Sequence, residues 1–362
     1  MRRTFASALI ATLAAGLAMG AAAPKKTPGV YASVEEAKQA GPDFDIQGEY
    51  EGTVEGGGKI GVQVIALGSK AFQAVFLPGG LPGAGWNGKE KVLCQGKLAG
   101  DEAVFAPAEG KRKYLGGPPA QFSATVKFPP AGQKDYTATI KDGKLTGKTD
   151  AGKAVTAKKV ARKSPTLGAK PPAGATVLLA YKPGKAPSLD AWNNTKWQTS
   201  PAGCMEIARR SGSNSTKERF SGAWVMHLEF RTPFRPGARG QGRGNSGVFP
   251  PGGREVQVLD SFGLDGKANE AGGIYKNYPP RVNMCLPPLS WQTYDITYSP
   301  PERGPDGKDK GQASYKIVHN GVTIHEKVPL GRGRSGGLSL QDHGNPVAYR
   351  NIWIVVKGDG QK

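Results

Sequence analysis

The chain has 362 residues, of which 38% are hydrophobic, with 53 glycines and 29 prolines. That length suggests about two domains, and that composition excludes a bundle of long helices in favour of short strands joined by turns. The formal charge of +20 invites a nucleic-acid reading, but the lysines are spread singly among glycines and threonines, as in "KDGKLTGKTDAGKAVTAKK", which suits solvated strand faces better than a phosphate track.

Residues 1–23 open with two arginines, continue as an apolar stretch from Phe5 to about Met19, and end on small residues suited to signal peptidase. A secretory signal peptide is expected, and with it a secreted or periplasmic protein. The stretch is short for a membrane anchor and nothing later is long and apolar enough to span a bilayer, so no transmembrane anchor is expected. Export also removes nucleic acid from the expected partners and leaves an anionic envelope polymer as the neighbour the charge suits.

In "SVEEAKQAGP", Ser33 stands three residues before Glu36, a capping box that predicts one short helix ending at Gly41-Pro42. From Phe44 to about Ala161 short apolar alternations are separated by glycine-containing turns. Asp142-Gly143 is the strongest hairpin signal. Residues 24–161 therefore read as a small β-rich domain. "LPGGLPGAGWNGK" lacks the Gly-Lys-Ser/Thr ending of a phosphate loop and reads as a structured turn. Residues 162–175, basic and proline-rich without periodicity, read as a linker. Residues 176–358 carry longer strand signals, which argues for a β-sandwich or jelly roll. The fold class expected is all-β.

Cys94, Cys204 and Cys285 are too few for a disulfide scaffold and too scattered for a zinc site. At most one bridge is expected, between Cys204 and Cys285 because both fall in the second domain, with buried thiols as the alternative.

Strand alternation sorts the polar side chains of the second domain by face. In "WVMHLEFR", Trp224, Met226, Leu228 and Phe230 take one face and Val225, His227, Glu229 and Arg231 the other. In "REVQVLDS", Glu255 and Gln257 oppose Val256 and Val258, and Asp260 falls with the apolar set unless a bulge intervenes. In "SLQDHG", Gln341 and His343 share a face. Such rows are either solvated outer faces or the floor of one polar cleft, and a curved sheet would make them converge. The loop "RTPFRPGARGQGRGNSG" places Arg231, Arg235, Arg239 and Arg243 among glycines; a mobile loop at the mouth of a site is the expectation, ahead of an RNA-binding segment.

The stretches "HLEFR", "NSGVF", "EVQVLDS", "GGIY", "WQTYDI", "HNGV" and "LQDHGNPVAYRNIWI" resemble, in that order, the 3-keto-disaccharide hydrolase domain family. The resemblance covers residues 176–358 and leaves the first domain outside it. It implies a concanavalin-like jelly roll and a carbohydrate substrate. "EVQVLD" is also similar to the E-x-D-x-x-E strand of laminarinase-type glucanases, but Gln257 replaces the middle acid and the shorter Asp260 the last, which speaks against a retaining two-carboxylate mechanism.

The implied substrate offers another route. Oxidation at C3 acidifies the C2 proton and places the glycosidic oxygen β to the carbonyl, so a base can remove that proton, the aglycone leaves and water adds back. By this resemblance His343 and Glu255 are the acid-base pair. Either Arg350 or a bound divalent metal ion stabilises the enolate. Glu229, Arg231, Asn245, Gln257, Asp260, Tyr275, Gln341 and Arg350 contact the sugar. A noncatalytic sugar-binding or envelope-adhesion protein is the alternative, because one fold hosts both.

Overall fold

A computed structural model describes residues 29–331 and 335–357 of the chain. The signal-peptide segment lies outside the described residues. The described chain is nearly all β, as its composition requires.

The capping box forms as expected. Ser33 Oγ accepts the Glu36 N–H at 3.2 Å, the Glu36 carboxylate takes the Ala32 N–H at 3.0 Å, and helix α1 spans Val34–Gln39. A second helical turn at Asp43–Ile46, not expected from the Gly41-Pro42 break, leads into the first strand.

Eight strands follow: β1 (Gly48–Val54), β2 (Gly58–Gly68), β3 (Ala71–Pro78), β4 (Val92–Ala99), β5 (Glu102–Pro107), β6 (Thr137–Lys141), β7 (Lys144–Lys148) and β8 (Ala154–Val160). They close into a barrel in the order β1-β8-β7-β6-β5-β4-β3-β2. Closure removes the unpaired edges that an open sheet of this size would expose. Alternate residues such as Val62, Val64, Phe72, Phe76, Phe105 and Ile140 fill one core, each large side chain contributing roughly 1.5–3 kcal/mol by leaving water. The β6–β7 hairpin turns at Asp142 and Gly143 with φ of 47° and 71°, the two positive values a type I′ turn needs.

The second unit is a two-sheet sandwich. Its strands are β9 (Thr176–Leu179), β10 (Gln198–Ser200), β11 (Cys204–Glu206), β12 (Asn214–Ser215), β13 (Trp224–Arg231), β14 (Ser246–Phe249), β15 (Val256–Val258), β16 (Gln292–Ser299), β17 (Ala313–His319), β18 (Val322–Gly331), β19 (Ser339–Leu340) and β20 (Ala348–Val356). The large sheet runs β10-β11-β20-β13-β16-β17-β18 with β9 on β20, and the small sheet runs β12-β19-β14-β15. Trp224, Met226, Leu228 and Phe230 of the large sheet share one core with Val248, Val256, Val258 and Leu340 of the small sheet. The two outer faces therefore look in opposite directions.

Three expectations are corrected here. Cys204 and Cys285 are not bridged; all three thiols are free and buried, and burial pushes the Cys94 thiol up to about 12 and raises that of Cys285 as well. The 162–175 segment is packed, not loose. Ser164 and Thr166 bond the hydroxyl of Thr293, Thr166 also donates to Asp295, and Gly168 N–H donates to Glu229 at 2.6 Å, strapping the segment across the outer face of the large sheet. The arginine-rich loop is likewise fixed. Arg239 donates to Leu67 O at 2.7 Å and Arg243 to Ala66 O at 3.0 Å, so these guanidiniums pin the loop to barrel strand β2. Ile65, Leu67, Val75 and Leu77 of the barrel form a joint core with Phe262, Leu264, Ala271 and Cys285 of the sandwich.

Candidate functional site

The outer face of the small sheet is built from the odd-numbered residues that oppose its valines. Gly247 pairs with Gln257 and Val248 with both Val256 and Leu340. Phe249 therefore stands beside Glu255 and Ser339. The Val256–Ile274 bridge extends the sheet by a fifth segment in which the Tyr275 N–H donates to Glu255 O at 3.1 Å, so Tyr275 joins the same row. Gln341 enters beside Gly247, its N–H donating to Gly247 O at 2.9 Å. One face thus carries Glu255 between Phe249 and Tyr275, with Gln257, Gly247 and Gln341 in the next row.

Glu255 is the unusual group. Among the described residues its carboxylate has no hydrogen-bond or ion-pair partner. Desolvation by burial alone lifts its pKa to about 7. It lies flat over Gly247, where a Cβ would collide with Oε1 of Glu255. A strand glycine is weakly favoured for its own sake, and here the missing side chain is what admits the carboxyl.

The wall beside Gln257 is a fixed amide network. The Gln241 side-chain oxygen accepts from Asn245 Nδ2 at 3.1 Å and from Gln257 Nε2 at 3.0 Å, while Gln241 Nε2 donates to Asn269 O at 2.7 Å. Asn245 Oδ1 is buried without a partner among the described residues, an acceptor left for a ligand hydroxyl or water. The Gln341 amide and the Tyr275 hydroxyl also have no side-chain partner there.

The structure brings together Glu255, Gln257, Asn245, Tyr275 and Gln341 from the expected set. His343 stands just past Gln341, exposed, in a loop held by Asp342, whose carboxylate accepts from Gly212 N–H and Gly344 N–H, both at 2.8 Å.

Four expected sugar contacts lie elsewhere. Glu229 is fully buried on the outer face of the large sheet, where it accepts from Gly168 N–H, Asn351 Nδ2 at 2.8 Å and Arg350 Nε at 2.7 Å. Burial alone would raise its pKa, but these bonds together with His227 outweigh it and hold it at about 2. The Arg350 guanidinium lies between the rings of Tyr181 and Trp291, 4.0 and 4.1 Å from their centroids, on the large sheet and away from the Glu255 face. Arg231 also rests on Trp291, 5.1 Å from its centroid. Asp260 is buried in an ion pair with Arg243 Nε at 2.6 Å and caps the Phe262 N–H, a structural duty. Convergence of the three polar rows fails because "HLEFR" and "EVQVLD" belong to different sheets with the core between them.

No three His, Cys, Asp or Glu side chains gather into a metal-holding group among the described residues. Phe249, Gly247 and Gln241 were missed in the sequence. The first two could be found from their alternation with Ser246 and Val248; Gln241 sits in a loop and carries no periodic signal.

The all-β sandwich carries a desolvated carboxyl in the row of Phe249 and Tyr275 on one sheet face, and its family match puts it in the class of carbohydrate-active proteins. The chain belongs to the 3-keto-alpha-glucoside-1,2-lyase-like domain family, whose model matches residues 174–355. Three solved structures from Parabacteroides distasonis ATCC 8503, each titled a "putative glycosyl hydrolase", are similar to it. The first is 30% identical, covering 51% of this chain and 85% of that one at a TM-score of 0.44. The second is 16% identical over 51% and 95% at 0.36, and the third 19% over 47% and 95% at 0.35. A comparison with curated proteins returns no match.

Proposed function

We propose that the chain cleaves 3-keto-glycosides by elimination and rehydration, with Glu255 as the base that removes the C2 proton. The observation that carries this reading is an unpaired, desolvated carboxyl titrating at about 7, where a base is both ionised at working pH and strong enough to abstract a proton α to a carbonyl. The C2–H electrons move into the C2–C3 bond and the carbonyl oxygen becomes an enolate. Collapse of the enolate forms the C1–C2 double bond and expels the glycosidic oxygen, and water then adds at C1. The unpaired donors of Tyr275 and Gln341 face the developing oxyanion, and the rings of Phe249 and Tyr275 suit the C–H faces of a sugar. His343, exposed two residues beyond Gln341, is assigned the proton that the departing aglycone needs.

A 3-keto-glucoside bearing a chromogenic aglycone tests this reading. Release from the ketosugar but not from the unoxidised glucoside is expected; binding without release would replace the enzyme with a noncatalytic sugar-binding protein. Export is part of the proposal and rests on residues 1–23; sequencing the exported protein should find its first residue between Gly20 and Pro24.

A further inference from the structure

We propose that the N-terminal barrel is a working part of the Glu255 site, and that Lys91 and Tyr114 act as positioning residues for its wall. The activity readout below rests on the proposed function; the titration readout does not.

The segment from Phe262 to Ala271 leaves β15 and returns as the strand that holds Tyr275. Its contacts with the sheet are direct. Gln257 N–H donates to Gly273 O at 2.9 Å, Gly272 N–H donates to Gln257 O at 3.0 Å, and Asn269 O receives the amides of both Gln241 and Gln257. Lys276 N–H closes the segment on Ala268 O at 3.0 Å. Whatever fixes 262–271 therefore fixes Gln257 and the Tyr275 row.

The barrel supplies those anchors. Asp265 accepts from Lys91 Nζ at 2.7 Å and from Val126 N–H at 2.7 Å. Glu270, next in sequence to Asn269, accepts the Tyr114 hydroxyl and the N–H groups of Gly266 and Lys267. Gly263 sits so close to Ile65 that a Cβ would come within 2.6 Å of Ile65 Cδ1. The Gln241 side of the same wall is tied likewise, because the Gln241 loop is bounded by Arg239 and Arg243, whose guanidiniums bond Leu67 O and Ala66 O. A wall assembled by such second contacts holds geometry that the first contacts cannot hold alone.

The test uses the full-length protein with 13C-labelled glutamate, the Glu255 carboxyl signal being assigned through Glu255→Gln. In the double variant Lys91→Ala, Tyr114→Phe, water gains access to the face, so the Glu255 midpoint falls by about one unit and kcat falls about tenfold. Lys91→Arg, which keeps the ion pair, should restore both values in the Tyr114-intact protein. A folded double variant with an unchanged midpoint overturns the proposal, since a purely structural role would move only the melting temperature. If the double variant does not fold, Tyr114→Phe alone removes one hydroxyl and must still lower the midpoint; no change there also overturns it. Absence of ketoglycoside cleavage with a shifted midpoint would refute the proposed function and leave the positioning role standing.

Discussion

Glu229 and Glu255 carry the same side chain to opposite ends of the carboxylate range. Glu229, with its full set of donors, is held at about 2; Glu255, with none, is pushed to about 7 by desolvation. Because Glu255 must be ionised to act, the acid limb of the pH-rate profile should rise through about 7, and the need for a protonated His343 should close the profile into a bell at higher pH; steady-state rates across pH check this. The same shift has the opposite sign for stability. The fold favours the protonated acid, so the contribution is full below the ordinary glutamate value and is lost as pH rises through about 7. Glu255→Gln should therefore leave the protein about 1–2 kcal/mol more stable than wild type at pH near 8, discounted for partial solvent screening, and equal to it at acid pH. Urea denaturation at the two pH values reads the difference. Gly247→Ala, whose methyl would take the space of the carboxyl, should cost about tenfold or more in kcat by displacing the base.

At the scale of strands, alternation located the polar faces of β13 and of the Glu255 strand correctly from residues alone. Which sheet each strand joins is a long-range fact that no local period contains, so alternation alone could not show that Glu229 and Arg350 lie across the core from Glu255. The strap also escaped notice, because proline-rich composition reads as loose chain while the bonds that tie Ser164, Thr166 and Gly168 to the sheet exist only in the folded protein. Asp260 fell with the apolar residues in the alternation, and Arg243, the partner that permits its burial, comes from a loop without a period. The strap network is structural, and this is measurable. Glu229→Ala leaves Arg350 buried without its carboxylate and should destabilise the fold by about 3–5 kcal/mol. Below the denaturation midpoint the folded fraction should cleave ketoglycosides at close to the wild-type rate, since Glu229 does not face the site.

At the scale of the whole molecule, the family match covers 174–355 while the barrel supplies anchors for both segments of the Gln257 wall. The barrel was legible as a β-rich domain, from its turns and its Asp142-Gly143 hairpin, yet its junction with the sandwich was not, because the joint core draws single residues from segments far apart in sequence. Removing residues up to 161 would expose Phe262, Leu264 and Ala271, strip Asp265 of Lys91 and Val126, and take the Tyr114 hydroxyl from Glu270. The isolated sandwich is expected to be insoluble or to show no cleavage when the full chain does, with size-exclusion chromatography as the check. The account stands or falls on proton removal by Glu255. A 3-keto-glucoside deuterated at C2 should release its aglycone more slowly than the protio sugar and yield product that has lost the label, and Glu255→Gln should abolish both release and label loss. Equal rates for the two sugars with deuterium retained at C2, or undiminished release by Glu255→Gln, would contradict it.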